Sequence, residues 1–248
     1  MDLNADMAEG NGPEGWAADA ALLDVVTSAN IACGGHAGDP ETMRRACEAA
    51  LGRGVRIGAH PGYADRENFG RIELALPVGE IASQVEEQLA LLRQIAAEEG
   101  GSVTHVKPHG ALYHRAASDP ELAEALAERI ASVDPALALL APADSELLSA
   151  ARRLELPTAA EGFADRAYGD DGLLVPRELP GSLLGPEQAI RQALSLAIDG
   201  TVTTADGSTI EIAADSVCVH GDSPGAVELT RDLRAALAGS GVEVKAFA

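Results

Sequence analysis

The chain alternates short apolar runs with longer stretches whose apolar residues recur every three or four positions. Residues 2–6 read Asp-Leu-Asn-Ala-Asp, so in a strand Asp2, Asn4 and Asp6 share one face and Leu3 and Ala5 the other. A first strand with a polar face is odd for a sheet core unless that face lines a site. Residues 10–15 read as a loop and Asp19 to Val26 as a short helix. The run 28–34 predicts a second strand. Pro40 to about Gly52 predicts a helix with Met43, Cys47 and Ala50 at helical spacing, and 55–59 a third strand. A long loop, 61–76, carries Tyr63 and Phe69 and is expected to fold as a lid. Helix 78–99 places Ile81, Val85, Leu89, Leu92 and Ile95 along one stripe.

The second half repeats this grammar. His105 to Lys107 forms a strand running into Pro108-His109-Gly110, and helix 119–132 opens on Asp119-Pro120. Asp39-Pro40 opens the earlier helix in the same way: the aspartate caps free N–H groups and the proline lacks one where none is needed. Strands follow at 136–141 and 158–161, with helix 143–154 between them. Residues 169–185 are a Gly/Pro-rich loop, 187–199 a helix, and 201–212 a hairpin turning at Asp206-Gly207. Strand 216–219, helix 225–238 and strand 242–247 close the chain. Strands alternating with helices favour a parallel sheet with covered faces, and no linker interrupts them, so one domain over 1–248 is expected. Asp6, His36, His60, Lys107, His109, Asp165, Arg166 and His220 all fall just after strands. In a barrel such positions converge on one mouth, whereas an open sheet scatters some of them. A closed or nearly closed β/α barrel is the expected fold.

Composition narrows the function. With 248 residues, 46% of them apolar, a sizeable core can be buried. No apolar run approaches the roughly 18 residues that span a bilayer. The acidic N-terminus lacks the basic and apolar regions of a signal sequence, so a cytoplasmic protein without membrane partners is expected. A net charge of −21 argues against nucleic acid, and 3% aromatics offer no stacking platform for bases. Cys33, Cys47 and Cys218 form no disulfide framework and no C-x-x-C pattern. Cys33, near His36, reads as a small buried thiol more than as a nucleophile. Only Lys107 and Lys245 occur against 16 arginines, so Lys107 marks a place where a compact or deprotonatable cation matters.

Two chemistries suit these residues. Asp6 with His36 and His60 makes an N/O set for a divalent metal with open positions. Alternatively, a histidine or Asp6 moves protons on an amide while Lys107 or Arg166 stabilises an oxyanion. No two of these residues lie at i, i+4 on a helix, so spacing does not choose between them.

Six blocks carry a family resemblance: Asp2 to Asp6 (DLNAD), Ser28 to Pro40 (SANIACGGHAGDP), Gly58 to Tyr63 (GAHPGY), Val106 to Tyr113 (VKPHGALY), Phe163 to Tyr168 (FADRAY) and His220 to Asp222 (HGD). Together they resemble the LamB/YcsF family, which supplies the A subunit of bacterial 5-oxoprolinase. Gly35 stands where that family usually has phenylalanine, and residues 64–72 are looser than its usual pattern. The resemblance implies a distorted seven-stranded TIM-like barrel of the glycoside hydrolase/deacetylase type. It also implies ATP-dependent opening of 5-oxoproline to glutamate with separate B and C subunits. The chain has no G-x-x-x-x-G-K-[ST] loop for the ATP phosphates. The expected division of labour therefore puts ring opening here and nucleotide chemistry on the partners. Asp6, His60 and Lys107 are the expected catalytic residues. Asn4, Asn30, His36, His109, Asp165, Arg166 and His220 are the expected substrate-binding ones. The competing readings are a stand-alone metal-dependent deacetylase or amidohydrolase, and a non-catalytic scaffold that binds 5-oxoproline.

Overall fold

The computed structural model describes residues 1–10, 12–220 and 225–248. Gly221 and Asp222 of the last sequence block lie outside them. Nine strands and eight helices occur among the described residues. In chain order they begin β1 (Asp2–Met7), α1 (Gly12–Leu23), β2 (Ser28–Ala32), α2 (Pro40–Leu51), β3 (Arg56–His60), α3 (Val78–Glu98) and β4 (Val103–Val106). There follow α4 (Gly110–Ser118), α5 (Pro120–Val133), β5 (Ala138–Pro142), α6 (Glu146–Arg153), β6 (Thr158–Phe163) and α7 (Pro186–Ile198). Then come β7 (Thr201–Thr203), β8 (Thr209–Glu211), β9 (Ser216–Cys218) and α8 (Ala226–Gly239).

Seven strands close into a barrel in the order β1-β2-β3-β4-β5-β6-β9, every pairing parallel. The hairpin β7–β8 stands apart, inserted between α7 and β9. Period-two alternation sorts the strand residues. Leu3, Ala5, Met7, Ile31, Ile57 and Val217 are buried apolar side chains in the hydrophobic core. A Cβ on Gly162 would meet Leu196 of α7 at 2.9 Å, so strand and helix approach closely there. The opposite face is polar. Asn4 of β1 bonds Glu161 of β6, and Asn30 of β2 bonds His105 of β4. These strands are not neighbours, so the bonds cross the barrel interior. A Cβ on Gly58 of β3 would overlap the His105 ring, which explains a glycine there. The polar face expected of Asp2, Asn4 and Asp6 thus lines a hydrogen-bonded column where such barrels usually stack branched aliphatics. At its lower end Asp2 accepts from Thr27 at 2.5 Å, Ser28 at 2.7 Å, and Ser216.

The predicted caps form as expected. Asp39 Oδ1 accepts from the N–H groups of Glu41 and Thr42, and Asp119 Oδ1 from those of Glu121 and Leu122. Three elements differ from the sequence reading. The loop expected at 10–15 is already helical from Gly12, because Pro13 suits a first turn. The two flanking glycines pack together: a Cβ on Gly10 would lie 2.8 Å from Gly15 Cα. An unpredicted α4 precedes α5. Asp119 separates the two in extended conformation, as a residue before proline prefers. Residues 242–247 form no strand. Their alternation reads as one, but the tail's backbone bonds are Met1 N to Glu243 O, Lys245 N to Met1 O and Val242 N to Leu237 O, which build no ladder. It ends with Phe247 edge-on against His105 at 5.1 Å. Among the described residues no helix is long and apolar enough to cross a membrane.

Candidate active site

The C-terminal ends of the strands deliver the predicted residues to one place. Lys107, just past β4, is 3% exposed and sits between two carboxylates, with Asp6 Oδ1 at 3.0 Å and Glu161 Oε1 at 2.9 Å. It also donates to Cys218 Sγ at 3.3 Å. Burial disfavours the ammonium, but Asp6, Cys218 and Glu161 outweigh it and hold the Lys107 pKa well above its ordinary value. Burial likewise works against the Asp6 carboxylate, yet His60 and Lys107 keep it well below the ordinary range. The second oxygen of Glu161 accepts from the Tyr113 hydroxyl at 2.7 Å.

His60 lies on the other side of Asp6, its Nε2 3.3 Å from Asp6 Oδ2. Its Nδ1 faces the carbonyl of Lys107 at 2.8 Å, and a carbonyl can only accept, so Nδ1 carries the proton. His109 is oriented the same way: Nε2 donates to the Phe69 carbonyl at 2.9 Å and Nδ1 faces His60 Nε2 at 3.0 Å. Glu9 reaches into this group. Its Oε1 stands 2.9 Å from His36 Nε2, 3.2 Å from His109 Nδ1 and 3.7 Å from His60 Nε2. Glu9, His36, His60 and His109 each offer one ligand atom, all within 4.8 Å of one another. Burial pushes the His36 pKa down to about 4, with Glu9 opposing and His109 adding to the fall.

The loop 61–76 folds over this cluster as the lid reading expects. Phe69 packs edge-on against both His36 and His109. Phe69 and Gly70 adopt positive φ, and a Cβ on Gly70 would lie 2.8 Å from His36 Cβ. Gly35 also has a local reason. A Cβ there would run into Gln88, whose amide clamps the Gly62 peptide, donating to its carbonyl at 2.8 Å and accepting from its N–H at 3.1 Å.

A cavity of about 760 Å³ opens above, lined by Asp6, His60, Lys107, His109, Arg166 and His220 among others. Asp6, His60 and Lys107 therefore share one space. Arg166 is tied to the 169–185 loop through the carbonyls of Ser182 and Val175. Asp165 stands behind His220 and accepts from its ring at 2.9 Å and its backbone N–H at 3.1 Å. Burial disfavours the charged imidazole of His220, but Asp165 outweighs it and raises the pKa. Asn4 and Asn30 lie beneath the cavity, fully buried, where they brace Asp6: Asn30 donates to Asp6 Oδ1 at 2.9 Å and to Asn4 Oδ1 at 2.7 Å. His36 lies behind Glu9, stacked on His109 at 3.6 Å.

Glu9 and Glu161 are absent from the sequence-derived set. Glu9 follows β1 with no motif around it. Glu161 did carry a signal, as the single carboxylate in a strand otherwise built of threonine, alanine, glycine and phenylalanine. Cys33 is buried and donates to the Ile31 carbonyl, and burial pushes its thiol up to about 12, as befits a packing residue.

A closed parallel β/α barrel with buried charged groups and a histidine–carboxylate cluster at its C-terminal mouth defines an enzyme-type pocket. The chain belongs to the LamB/YcsF family, whose profile matches residues 1–248. It is 48% identical over 247 residues to a Nocardia farcinica protein named as the A subunit of 5-oxoprolinase, covering 100% of this chain and 99% of that one. It is 49% identical over 245 residues to an Erwinia tasmaniensis protein of the same name, covering 98% of each. The crystal structure of a lactam utilization protein from Thermus thermophilus superposes with a TM-score of 0.91 at 40% identity, covering 100% of this chain and 99% of that one.

Proposed function

We propose that this chain is the ring-opening component of an ATP-dependent 5-oxoprolinase, converting 5-oxo-L-proline to L-glutamate together with other subunits. The observation that carries the reading is the buried Asp6–Lys107–Glu161 group at the floor of the cavity, in a chain nearly half identical over its full length to proteins bearing that name.

A five-membered lactam is a poor electrophile. Transfer of the terminal phosphoryl group of ATP to the lactam oxygen, with ADP leaving, activates the ring carbon. Water adds to that carbon and gives up a proton, and the ring C–N bond breaks as the nitrogen is protonated. A second water then releases phosphate from the resulting acyl phosphate. Asp6, with His60 beside it, orients water and accepts its proton. Lys107 faces the developing oxyanion, and Arg166 holds the substrate carboxylate. His109 and His220 complete the wall. Neither lysine lies in a phosphate-binding loop, which supports assigning ATP to the B and C subunits. Leu173, Leu179 and Leu183 are exposed on the 169–185 loop, consistent with a protein surface meeting it.

Turnover of 5-oxoproline by the purified chain, measured with and without the other subunits, tests this. ATP-dependent turnover is expected only from the reconstituted complex, and full activity from this chain alone would refute the division of labour. A second reading, a stand-alone metal-dependent amidohydrolase, is favoured by the Glu9–His36–His60–His109 cluster. Amide hydrolysis without ATP, abolished by chelators, is its mark.

A further inference from the structure

His60 and His109, beside Glu9, are arranged as ligands of an ion more than as partners of each other. His60 gives its Nδ1 proton to the Lys107 carbonyl and His109 its Nε2 proton to the Phe69 carbonyl. In its neutral form each ring therefore turns a bare lone pair inward. Those lone pairs face each other at 3.0 Å, and both also face a carboxylate oxygen. Acceptors converging on acceptors require positive charge between them. Backbone carbonyls holding the far side of imidazole rings are also the usual way a protein fixes the tautomer of a metal ligand. His36 stands outside this set: its ring lies parallel on His109 at 3.6 Å, and one ion cannot lie in both ring planes.

The dimensions agree. Ligands about 2.1 Å from a tetrahedral ion lie roughly 3.4 Å from one another. The separations among Glu9 Oε1, His60 Nε2 and His109 Nδ1 are 3.0, 3.2 and 3.7 Å. Enclosure agrees too. His36 stacks on His109, Phe69 closes the edge, and a Cβ on Gly62 would lie 2.8 Å from His36 Nδ1. Glu9, His60 and His109 also line the cavity, so the cluster has one side open to a ligand.

We propose that Glu9, His60 and His109 bind one divalent transition-metal ion, of the class of zinc, in the wall of the cavity beside Asp6. Two imidazoles and one carboxylate, without thiolate, suit Zn²⁺, Co²⁺, Ni²⁺ or Fe²⁺ better than Mg²⁺ or Ca²⁺. Such an ion supplies Lewis-acid polarisation of an oxygen at the open side. The site stands whether or not a lactam is the substrate.

The test uses the full-length protein, freed of any affinity tag and stripped with a chelator. Titration with Zn²⁺ and Co²⁺, followed by calorimetry and elemental analysis after dialysis, is expected to give one equivalent per chain. Bound Co²⁺ should show visible d–d absorption, and Zn²⁺ should raise the melting temperature. Glu9→Gln, which keeps shape, and His109→Ala should each weaken binding by more than the roughly 10- to 100-fold that follows loss of an outer partner. Circular dichroism of the metal-free proteins separates this from misfolding. Failure of the wild-type chain to retain either ion, or unaltered affinity in both folded variants, would overturn the site. Neither result depends on 5-oxoproline turnover.

Discussion

Lys107 and Glu161 meet at 2.9 Å with side chains 3% and 0% exposed, and Tyr113 holds the far oxygen of Glu161. The ammonium is thereby pinned from below, while Asp6 holds it on the cavity side. Removing one partner of a buried pair leaves an uncompensated charge, which costs about 3–5 kcal/mol. Lys107→Met should therefore lower the melting temperature and cut turnover of the reconstituted complex, the latter roughly 100- to 1,000-fold. Glu161→Gln should cut turnover with a smaller loss of stability, because Asp6 still pairs with Lys107. Turnover within twofold of wild type for Lys107→Met would instead support a scaffold role.

His105 predicts how stability responds to acid. It is fully buried and donates from Nε2 to Asn30 while accepting from Thr104 on Nδ1, and burial, with Lys107 and His60, pushes its pKa down to about 3. A pKa lower in the folded than in the unfolded chain means that the unfolded chain binds the proton more readily. The contribution is complete above pH 6.5 and is lost as pH falls toward 3. Between pH 7 and pH 5 this single group should remove about 2 kcal/mol. Urea unfolding at the two pH values checks it, with His105→Gln expected to flatten the difference.

Gly58 leaves room for that same ring. Gly58→Ala forces the imidazole out of its bond to Asn30 and should destabilise the protein by about 1–3 kcal/mol, the usual range for overpacking. An unchanged denaturation midpoint would mean that the column yields more readily than its bonds suggest.

The thiols should be silent. Cys33, Cys47 and Cys218 are all buried, and burial pushes the first two up to about 12. Iodoacetamide should label none of them in the native protein at neutral pH, and Cys33→Ala should keep turnover within about twofold. Rapid labelling of Cys33 with loss of activity would restore it as a nucleophile.

Much of this was legible in the residues because strand periodicity and cap chemistry are local. Asp2-Leu3-Asn4-Ala5-Asp6 announces a strand with a polar face, and Asp39-Pro40 and Asp119-Pro120 announce helix starts. Convergence of Asp6, His60 and Lys107 followed from barrel topology, since side chains at parallel strand ends share a mouth. Glu9 could not be placed, because its position depends on the path of the chain between β1 and α1, which no pattern encodes. The separate functions of Asn30 beneath the cavity and His109 beside it were equally hidden, since depth along the barrel follows from where each strand ends: Asn30 lies inside β2 and His109 beyond the end of β4. Residues 242–247 misled for the opposite reason. Alternation marks a strand with one polar face, but a ladder also needs a partner edge, and the closed barrel leaves none.

The column through the barrel divides the molecule into two nested shells with opposite rules. Outside it, between strands and helices, Leu3, Met7, Ile31 and Ile57 are held by volume alone and should accept other aliphatics of similar size. Inside, Asp2, Asn4, Asn30, His105 and Ser216 are held by direction, each donor aimed at a named acceptor. A saturation scan should therefore find the centre of this protein less forgiving of isosteric apolar replacements than its greasy mantle.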